Sequence, residues 1–524
     1  MAFTPTSHVT QNWQLAKPAA SGRRGVVVSQ CRNASEAGVA VLDAGGNAID
    51  AAVATALALA AVEPWNSGLG GVGHALVHRA GQGCAESVDF GPTAPAALEA
   101  KRFTLTGSIA ADLFAWPEVE GDANIHGPLS FVIPSAVAGL AEMHGRWGRL
   151  PLAEIAAPSV ALARRGLPQD WYTTLKVAVS APVLRNYPES ARIYLRDGLP
   201  PVPPYQGALS YFRLGQLSET LDRLARAGWQ DFYQGEIASS IVADCRAMGG
   251  VLSADDLMNC KARVLAAVEA PWRGKHTLQT TGPLTAAPTA AEVLRQMAKA
   301  DLGARPDADW YLTLARALKG AYARRLTTLG DAEPQTAESC TTHLSACDED
   351  GTMVAITTTL LSSMGSRVVL PGTGILMNNG VMWFDPRPGQ PNSIAGGKRP
   401  LTNMFPVILR DGDGPWIAAG ASGGRRIMAA VLQLVSFVAD FGMTPEAAAD
   451  QPRIDVSGPD KVTADARLAP DILRALLADG ATDIVERGVL PINFACPSLL
   501  IARGGTRVGI SDAASPWSAA LAQA

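Results

Sequence analysis

The sequence lacks any apolar run long enough to cross a membrane. The longest one, Ala51 to Val62, is alanine-rich and falls far short of the roughly 20 residues that a spanning helix needs. The first thirty residues also lack the apolar core of a secretory signal. The 524 residues carry a net charge of −4, which argues against a protein that follows the phosphates of a nucleic acid. We therefore expect a cytoplasmic protein that acts on neither membranes nor nucleic acids.

Paired cysteines and clustered histidines are missing as well. The seven cysteines are scattered and contain no CxxC pair, which favours reduced thiols over a disulfide framework. The seven histidines show no His-x-Glu spacing, and the one His-x3-His pair, His74 and His78, falls in a predicted strand rather than on a helix, so a zinc site has little support in the sequence. We expect a protein that uses no metal and no other cofactor.

One glycine-rich loop matches the residue pattern of a nucleotide-binding motif but not the order of secondary structure that the motif requires. Residues 68–73 read GLGGVG, which fits G-x-G-x-x-G. That pattern binds a pyrophosphate when a strand precedes it and a helix follows it. Here the predicted order is reversed, because a helix precedes the loop and a strand follows it. We interpret the loop as a tight turn with close backbone packing.

The order of predicted elements indicates an α/β protein built in layers. We expect helices over 35–62, 135–167, 231–260, 289–327 and 426–440, and an irregular proline-rich loop over 180–215. The helical stretch 35–62 breaks at Gly45-Gly46-Asn47, with Ser35 and Asn47 as the predicted N-caps. The stretch 135–167 is expected to break at Gly145, Gly148 and Pro151. Strands dominate after Cys340, where turn residues separate β-prone runs. Helices covering sheets in this way are typical of a layered α/β architecture.

A predicted hairpin contains residues suited to nucleophilic catalysis. Asp348-Glu349-Asp350-Gly351 separates TTHLSAC from TMVAITTTL, so Thr359 lies within about one residue of facing Thr341. A threonine hydroxyl needs an adjacent base, and a chain that begins with threonine supplies one in its own α-amine. This chemistry requires a cut before Thr341. Taken alone, the pattern is also satisfied by ordinary β-prone threonines.

Five motifs, in order, resemble the γ-glutamyltranspeptidase family over nearly the whole chain. They are GGNAIDAAVATALALAAVEPWNSGLGGVG, TTHLSACDEDGTMVAIT, GILMNN, KRPLTNMFPVI and GASGGRRI. The resemblance implies a four-layer αββα sandwich of the N-terminal-nucleophile class. It also implies a precursor that is cleaved between Cys340 and Thr341 into a large subunit, 1–340, and a small subunit, 341–524. The same resemblance allows a dimer of these two-subunit units.

The resemblance also assigns the catalytic positions. The family nucleophile matches Thr341, and the threonine that supports it matches Thr359, in agreement with the hairpin register. The two family glycines whose backbone N–H groups form the oxyanion hole match Gly423 and Gly424. Fixed backbone donors suit that task because they cannot swing away as charge develops on the oxygen.

The departures from the family concern the substrate pocket. Gly91 stands in place of the family arginine that binds the glutamyl α-carboxylate, and Trp383 replaces the aspartate that binds the α-ammonium. Leu361 replaces an asparagine of the same pocket, and the paired family serines match Thr402 and Asn403. Trp383 is either plain core or the floor of a smaller, more apolar pocket. The pocket has therefore lost the groups that recognise an α-amino acid.

Two polar residues close to the matched motifs leave the choice of substrate partner open. Arg425 follows the two glycines and is either a new partner for a substrate carboxylate or a solvated surface arginine. Asp385 is interpreted as a loop cap rather than as a catalyst.

The sequence thus predicts a self-processed amidohydrolase with a small-molecule amide substrate. We favour a small non-glutamyl amide that bears one carboxylate, such as oxamate. The alternatives are a hydrolase or transferase of γ-glutamyl compounds and an enzyme similar to cephalosporin acylase. A protein of this fold that has lost processing and activity is the remaining, non-enzymatic alternative.

Overall fold

The computed structural model describes residues 15–110, 116–301, 303–328, 339–412, 414–458, 460–489 and 493–524. Its centre is formed by two antiparallel sheets of seven strands each. Sheet I has the order β1-β20-β19-β15-β14-β11-β10, and sheet II has the order β21-β2-β12-β13-β3-β4-β9. The strands are β1 Ala20–Gly22, β2 Val26–Ser29, β3 Val72–His78, β4 Glu86–Phe90, β5 Leu105–Ile109, β6 Pro117–Val119, β7 Leu167–Pro168, β8 Tyr211–Phe212, β9 Arg263–Ala266, β10 Val268–Trp272, β11 His276–Thr280, β12 Ser339–Cys347, β13 Met353–Ser362, β14 Val407–Asp411, β15 Gly414–Ser422, β16 Ile454–Asp455, β17 Val462–Asp465, β18 Thr482–Val485, β19 Cys496–Arg503, β20 Thr506–Ser511 and β21 Ala519–Ala522.

Helices cover the outer face of each sheet. The helices are α1 Arg32–Asp43, α2 Ala48–Val62, α3 Ala136–Trp147, α4 Leu152–Arg165, α5 Trp171–Leu184, α6 Pro188–Tyr194, α7 Leu217–Ala227, α8 Asp231–Gln234, α9 Glu236–Ala247, α10 Ala254–Met258, α11 Ala287–Met297, α12 Ala308–Thr328, α13 Arg426–Ala439, α14 Pro445–Asp450 and α15 Pro470–Asp479. The helices α1 and α2 pack on sheet II, whereas α11 and α13 pack on sheet I and α12 packs on α11. The predicted four-layer αββα sandwich is confirmed.

Both sheets combine strands from the two sides of position 341. In sheet II, β12 lies between β2 and β13, and β13 pairs with β3. In sheet I, β14 pairs with β11. The chain before and after Thr341 therefore forms one interleaved unit rather than two separate domains. Among the residues given above, no helix is long and apolar enough to cross a membrane.

The first helical stretch breaks where the glycines predict, but it begins earlier than expected. Helix α1 starts at Arg32, so Ser35 is inside the helix and not its N-cap. The Ser35 hydroxyl instead bonds the Ser29 hydroxyl at 2.7 Å and donates to the carbonyl of Ala519 at 2.9 Å. The second N-cap is confirmed, because Asn47 and Asp50 form a reciprocal capping box at the start of α2.

Two other boundary predictions are wrong for local reasons. Helix α3 continues through Gly145 and ends only at Gly148. Helices α5 and α6 occupy part of the predicted loop over 180–215. Pro188 is the first residue of α6, where a missing backbone N–H costs nothing because that N–H has no partner within the helix. Proline content alone therefore overstated the irregularity of this region.

The glycine-rich loop is a tight turn, as predicted. It follows α2 and leads into β3. A side chain on Gly70 would lie 2.3 Å from the Leu376 carbonyl oxygen, and one on Gly71 would lie 2.8 Å from the Thr359 carbonyl oxygen. These glycines let the loop press directly against β13 and its neighbouring loop.

Candidate active site

The hairpin of β12 and β13 contains an irregularity at Thr341. Cys340 pairs with Leu361 and Thr342 pairs with Thr358, so the register shifts by one residue between them. Two residues of β13, Thr359 and Leu360, therefore face the single residue Thr341. Such a bulge twists a strand locally and re-aims the side chains beside it. In the uncut chain the strand begins at Ser339, two residues before the predicted start.

The predicted contact between the two threonines is present. The Thr341 hydroxyl donates to the Thr359 hydroxyl oxygen at 3.3 Å, and the Leu361 backbone N–H donates to the same oxygen at 2.8 Å. Thr359 is fully buried, and Thr341 is only 5% exposed. The Thr359 oxygen is thus held by the backbone of the bulge and in turn holds the rotamer of Thr341.

The neighbour of Thr341 is anchored on the opposite face of sheet II. The Thr342 hydroxyl donates to a Glu63 carboxylate oxygen at 2.7 Å, and the Asn66 amide donates to the other oxygen at 2.8 Å. Successive side chains of a strand point to opposite faces. Because Thr342 is tied to the end of α2, Thr341 is directed into the space between the two sheets.

The anchor is a buried acid whose ionisation depends on pH near neutrality. Burial raises the pKa of the Glu63 carboxyl from 4.5 to about 7, against the opposing effects of Thr342 and Lys176. The folded protein therefore keeps this proton over a pH range in which the unfolded chain has lost it. The contribution of this proton to the free energy of unfolding is present in full below pH 4.5 and is lost as the pH rises through about 7.

Glu63→Gln is expected to remove this pH-dependent loss, since the amide never ionises and can still bond Thr342 and Asn66. The loss should amount to at most roughly 3 kcal/mol of unfolding free energy. Urea unfolding of both proteins at pH 5 and pH 8 measures it. If the free energy of unfolding changes equally between pH 5 and pH 8 in wild type and variant, the assigned role of Glu63 is contradicted.

His343 has a structural role between the sheets. Its ring nitrogens bond the hydroxyls of Thr357 and Ser345, each at 3.0 Å. A side chain on Gly420 of β15 would lie 2.2 Å from the ring, so β12 and β15 pack face to face at this point. Burial lowers the pKa of His343 to about 3, so the ring is neutral and is not a proton acceptor near pH 7.

The two matched glycines lie where β15 leads into α13. Gly423 has φ +140°, and a side chain there would lie 2.7 Å from the Cβ atom of Ala495. Gly424 has φ +57°, also in the region that favours glycine. Their carbonyls accept from the N–H groups of Arg426 and Ile427, whereas among the described residues neither glycine N–H donates to a protein group. Free N–H groups at a helix N-terminus attract negative charge, as an oxyanion hole requires.

The position of the family arginine is closed off. A Cβ atom on Gly91 would lie 2.7 Å from the guanidinium of Arg399 and 2.8 Å from the ring of His74. Arg399 is held in place by Asp89, to which it donates two hydrogen bonds. A side chain at position 91 would therefore have to displace this ion pair.

The residues beside Thr359 form an apolar cluster. Leu361, Trp383 and Met404 pack together with Val72, and Trp383 is only 5% exposed. Leu361 has φ +87°, a left-handed conformation that asparagine adopts more readily than leucine. The family's asparagine thus suits this backbone better, and the strained leucine provides an apolar wall instead. The burial of Trp383 agrees with both of its interpretations, plain core and the floor of an apolar pocket, and both stay predictions.

The surface interpretation of Arg425 is wrong. Its side chain is 3% exposed, and its carbonyl accepts a short hydrogen bond from the Tyr322 hydroxyl of α12. Asp385 is engaged locally, because it accepts from the Arg387 backbone N–H at 2.9 Å and pairs with the Arg387 guanidinium. These contacts agree with a loop cap.

Thr402 and Asn403 lie beside a buried arginine that the sequence did not reveal. Arg325 of α12 donates to the Thr402 carbonyl at 2.9 Å and to the Asn403 side-chain oxygen at 3.1 Å. Arg325, Glu63 and Arg399 are the polar groups that sequence reasoning missed around the matched positions. The position of Glu63 at the end of an alanine-rich buried helix was a sequence signal that could have revealed it. No sequence signal pointed to Arg325.

A separate cavity of about 500 Å³ lies beside α1 and the last strands. Its lining includes Lys17, Cys31, Asp170 and Trp517, but neither Thr341 nor Thr359.

Among the described residues, no group of three or more His, Cys, Asp or Glu side chains could hold a metal ion. The six cysteines whose side chains are described are free thiols.

A family model described as Gamma-glutamyltranspeptidase matches residues 34–340 and 332–490. Among similar curated proteins, Glutathione hydrolase proenzyme of Escherichia coli (strain K12) is 28% identical over 94% of this chain and 90% of its own length. Acylase ACY 1 proenzyme of Pseudomonas sp. (strain SE83) is 29% identical over 84% of each chain. Both relatives are proenzymes by name.

Comparison with solved structures agrees on the fold. The cephalosporin acylase from Bacillus halodurans superposes with a TM-score of 0.83 over 99% of both chains, at 24% identity. The two chains therefore share the same overall fold.

Proposed function

Because this chain belongs to the γ-glutamyltranspeptidase family and is a hydrolase with the N-terminal-nucleophile fold, we propose that Thr341 is its nucleophile and that the chain creates it by self-cleavage. The Thr341 hydroxyl attacks the Cys340 carbonyl carbon, the Cys340–Thr341 C–N bond breaks, and the Cys340 acyl group moves to the oxygen as an ester. Water then hydrolyses the ester, which leaves a carboxylate on Cys340 and a free α-amine and hydroxyl on Thr341.

Turnover of substrate follows the same course. The Thr341 α-amine accepts the hydroxyl proton, the oxygen attacks the amide carbon, and the proton passes to the departing amine. The N–H groups of Gly423 and Gly424 stabilise the tetrahedral oxygen. Water hydrolyses the acyl-enzyme and regenerates Thr341. In the uncut chain Thr341 is 5% exposed, so we expect substrate to reach it only after cleavage.

The observation that carries this proposal is the hydrogen bond between Thr341 and Thr359 inside the bulge, 3.3 Å long and directed between the sheets. An unspecialised pair of strand threonines needs neither the bulge nor the strained backbone at Leu361. The interleaved sheets support a further point: the fragments 1–340 and 341–524 should stay associated after the cut.

For the substrate, we propose a small amide whose acyl part bears a carboxylate and no α-ammonium, with oxamate as the favoured type. Trp383 and Leu361 support the absence of an α-ammonium, because neither side chain can pair with one. The names of the relatives support two alternatives, γ-glutamyl compounds and cephalosporin-type amides. Incubating the purified protein with oxamate, glutaryl, cephalosporin and γ-glutamyl amides, and measuring released ammonia or amine, separates the three.

Thr359→Ala is expected to slow both self-cleavage and turnover about tenfold or more without unfolding the protein. The change removes the hydrogen bond that fixes the Thr341 rotamer, worth about 1–1.5 kcal/mol. Thr359→Ser keeps the hydroxyl and should recover most of both rates. Gel densitometry of the precursor over time, together with the amide assay, measures the two effects. Wild-type rates in the alanine variant would show that the threonine contact has no catalytic role.

Arg425→Met is expected to raise KM for carboxylated amides about tenfold while self-cleavage proceeds normally. The buried guanidinium follows the oxyanion glycines, and loss of a charge-assisted contact costs about 1.4 kcal/mol or more. The precursor's own peptide bond offers no carboxylate, so processing should not change. Steady-state kinetics on the best amide of the panel test this; an unchanged KM would remove Arg425 from the substrate site.

A further inference from the structure

One face of α12 contacts two of the segments that form the candidate site. This helix is the last described element before β12. Tyr322 and Arg325 are three residues apart, so they lie on the same side of the helix. Both are buried, with 2% and 3% of their surface exposed. Such a costly placement of an arginine indicates specific contacts.

The two side chains bind opposite sides of the site. The Tyr322 hydroxyl donates to the carbonyl of Arg425, directly after the two matched glycines. Arg325 reaches the other segment, where Nη2 donates to the Thr402 carbonyl at 2.9 Å and to Asn403 Oδ1 at 3.1 Å. Its Nη1 atom donates to the Thr285 carbonyl at 3.1 Å, which fixes the plane of the guanidinium.

The contact with Arg325 determines which way the Asn403 amide points. A guanidinium has only donors, so the Asn403 atom that faces it must be the oxygen. The Nδ2 hydrogens then point away from α12. Within the part of the chain that the structure describes, these hydrogens have no acceptor, although Asn403 is only 6% exposed. Asn403 Nδ2 is not among the fully buried side-chain atoms that lack a partner, so it keeps contact with solvent, and a substrate oxygen can replace water as its acceptor.

The adjacent threonine cannot take this role. The Thr402 hydroxyl donates its single hydrogen to the Leu284 carbonyl at 3.0 Å. Of the two residues that match the family serines, Asn403 alone therefore offers a donor. The next residue, Met404, packs with Leu361 and Trp383 beside Thr359, so the Asn403 segment borders the region of Thr341.

We infer that Arg325 is a positioning residue that turns the Asn403 amide so that its NH2 group faces the acyl part of the substrate. The site then selects acyl groups with an acceptor oxygen at this point, a carboxylate above all, and rejects an ammonium there. This inference rests on the proposed function of Thr341. It also gives the fragment 1–340, through Arg325, a part in orienting a residue of the fragment 341–524.

Asn403→Asp is the sharpest test, because it preserves shape and still accepts from Arg325. It replaces the NH2 donor with a carboxylate oxygen. On glutaryl-p-nitroanilide, we expect kcat/KM to fall at least about tenfold, mainly through KM. Activity on γ-glutamyl-p-nitroanilide should fall less or rise, since an ammonium can pair with the new carboxylate. Equal loss on both amides, or no loss on either, would overturn the inference.

A double-mutant cycle tests the part played by Arg325. Arg325→Met and Asn403→Ala should each raise KM for glutaryl-p-nitroanilide about tenfold with little change in kcat. The double variant should be no worse than Asn403→Ala alone, because both changes remove one interaction. Arg324→Met is the matched control, since Arg324 is exposed and pairs with Glu292. Additive effects would contradict the assigned role of Arg325.

Two further measurements keep the outcomes distinct. The mass of each variant reports whether cleavage before Thr341 has occurred, and an uncut wild type refutes the proposed function rather than the role of Arg325. If Arg325→Met does not fold, Arg325→Lys replaces it in the cycle. A lysine can hold the Thr402 carbonyl or Asn403 Oδ1 but not fix both, so we expect a KM between those of wild type and Asn403→Ala; a wild-type KM would count against the inference.

Discussion

Thr341→Ala is expected to yield a single uncut chain with no amidase activity. The change removes the hydroxyl that we propose attacks the Cys340 carbonyl, and it also removes the proposed nucleophile for substrate. Loss of a catalytic nucleophile lowers kcat by about 10⁴-fold or more in hydrolases of comparable chemistry. Thr341→Ser should retain part of the processing, because its hydroxyl occupies the same position with a looser rotamer.

Thr358→Ser provides the matched control on the same hairpin. The Thr358 hydroxyl donates to the Val72 carbonyl at 3.1 Å on the opposite face of sheet II. Its substitution should leave cleavage and turnover near wild type. Denaturing gels and the amide assay measure all three variants. Processing of Thr341→Ala at the wild-type rate would assign the cut to another group or to a contaminating protease.

The second large effect concerns the α-ammonium of the substrate. γ-Glutamyl-p-nitroanilide and glutaryl-p-nitroanilide differ only in this group, so they form a matched pair. We expect kcat/KM to be at least about 100-fold lower for the γ-glutamyl compound, since an unpaired ammonium beside Trp383 and Leu361 costs about 3 kcal/mol. Steady-state kinetics on the processed enzyme measure the ratio.

This comparison tests the proposal for substrate recognition separately from the proposal for Thr341. A γ-glutamyl compound that reacts as fast as its desamino partner would contradict the account of the pocket and favour the glutathione-hydrolase alternative. It would leave the proposal for Thr341 unaffected, because cleavage of the precursor needs no recognition of the acyl group. Faster turnover of oxamate than of the glutaryl amide would indicate a pocket that fits the smaller acyl group.

Much of the hairpin was accessible from the sequence because turn and strand signals are local. Asp348-Glu349-Asp350-Gly351 fixed the turn, and counting back from it brought Thr359 next to Thr341. The same holds for the capping box of Asn47 and Asp50, which four adjacent residues define. The order of the motifs then supplied the four-layer fold that local patterns could not give.

Features that depend on distant contacts were not predictable. Arg425 looks like a surface residue between a turn and a helix, and only the packing of α12 against it shows that it is buried. The anchoring of Thr342 by Glu63 joins residues 279 positions apart. The irregular pairing at Thr341 places one extra residue on β13, which a simple count from the turn cannot include.

Mass spectrometry of the purified wild-type protein, combined with N-terminal sequencing of its fragments, tests the central claim most directly. We expect two chains that stay together under native conditions, the smaller of which begins at Thr341. A single chain containing the intact Cys340–Thr341 bond, in a preparation that turns over amides, would contradict this claim.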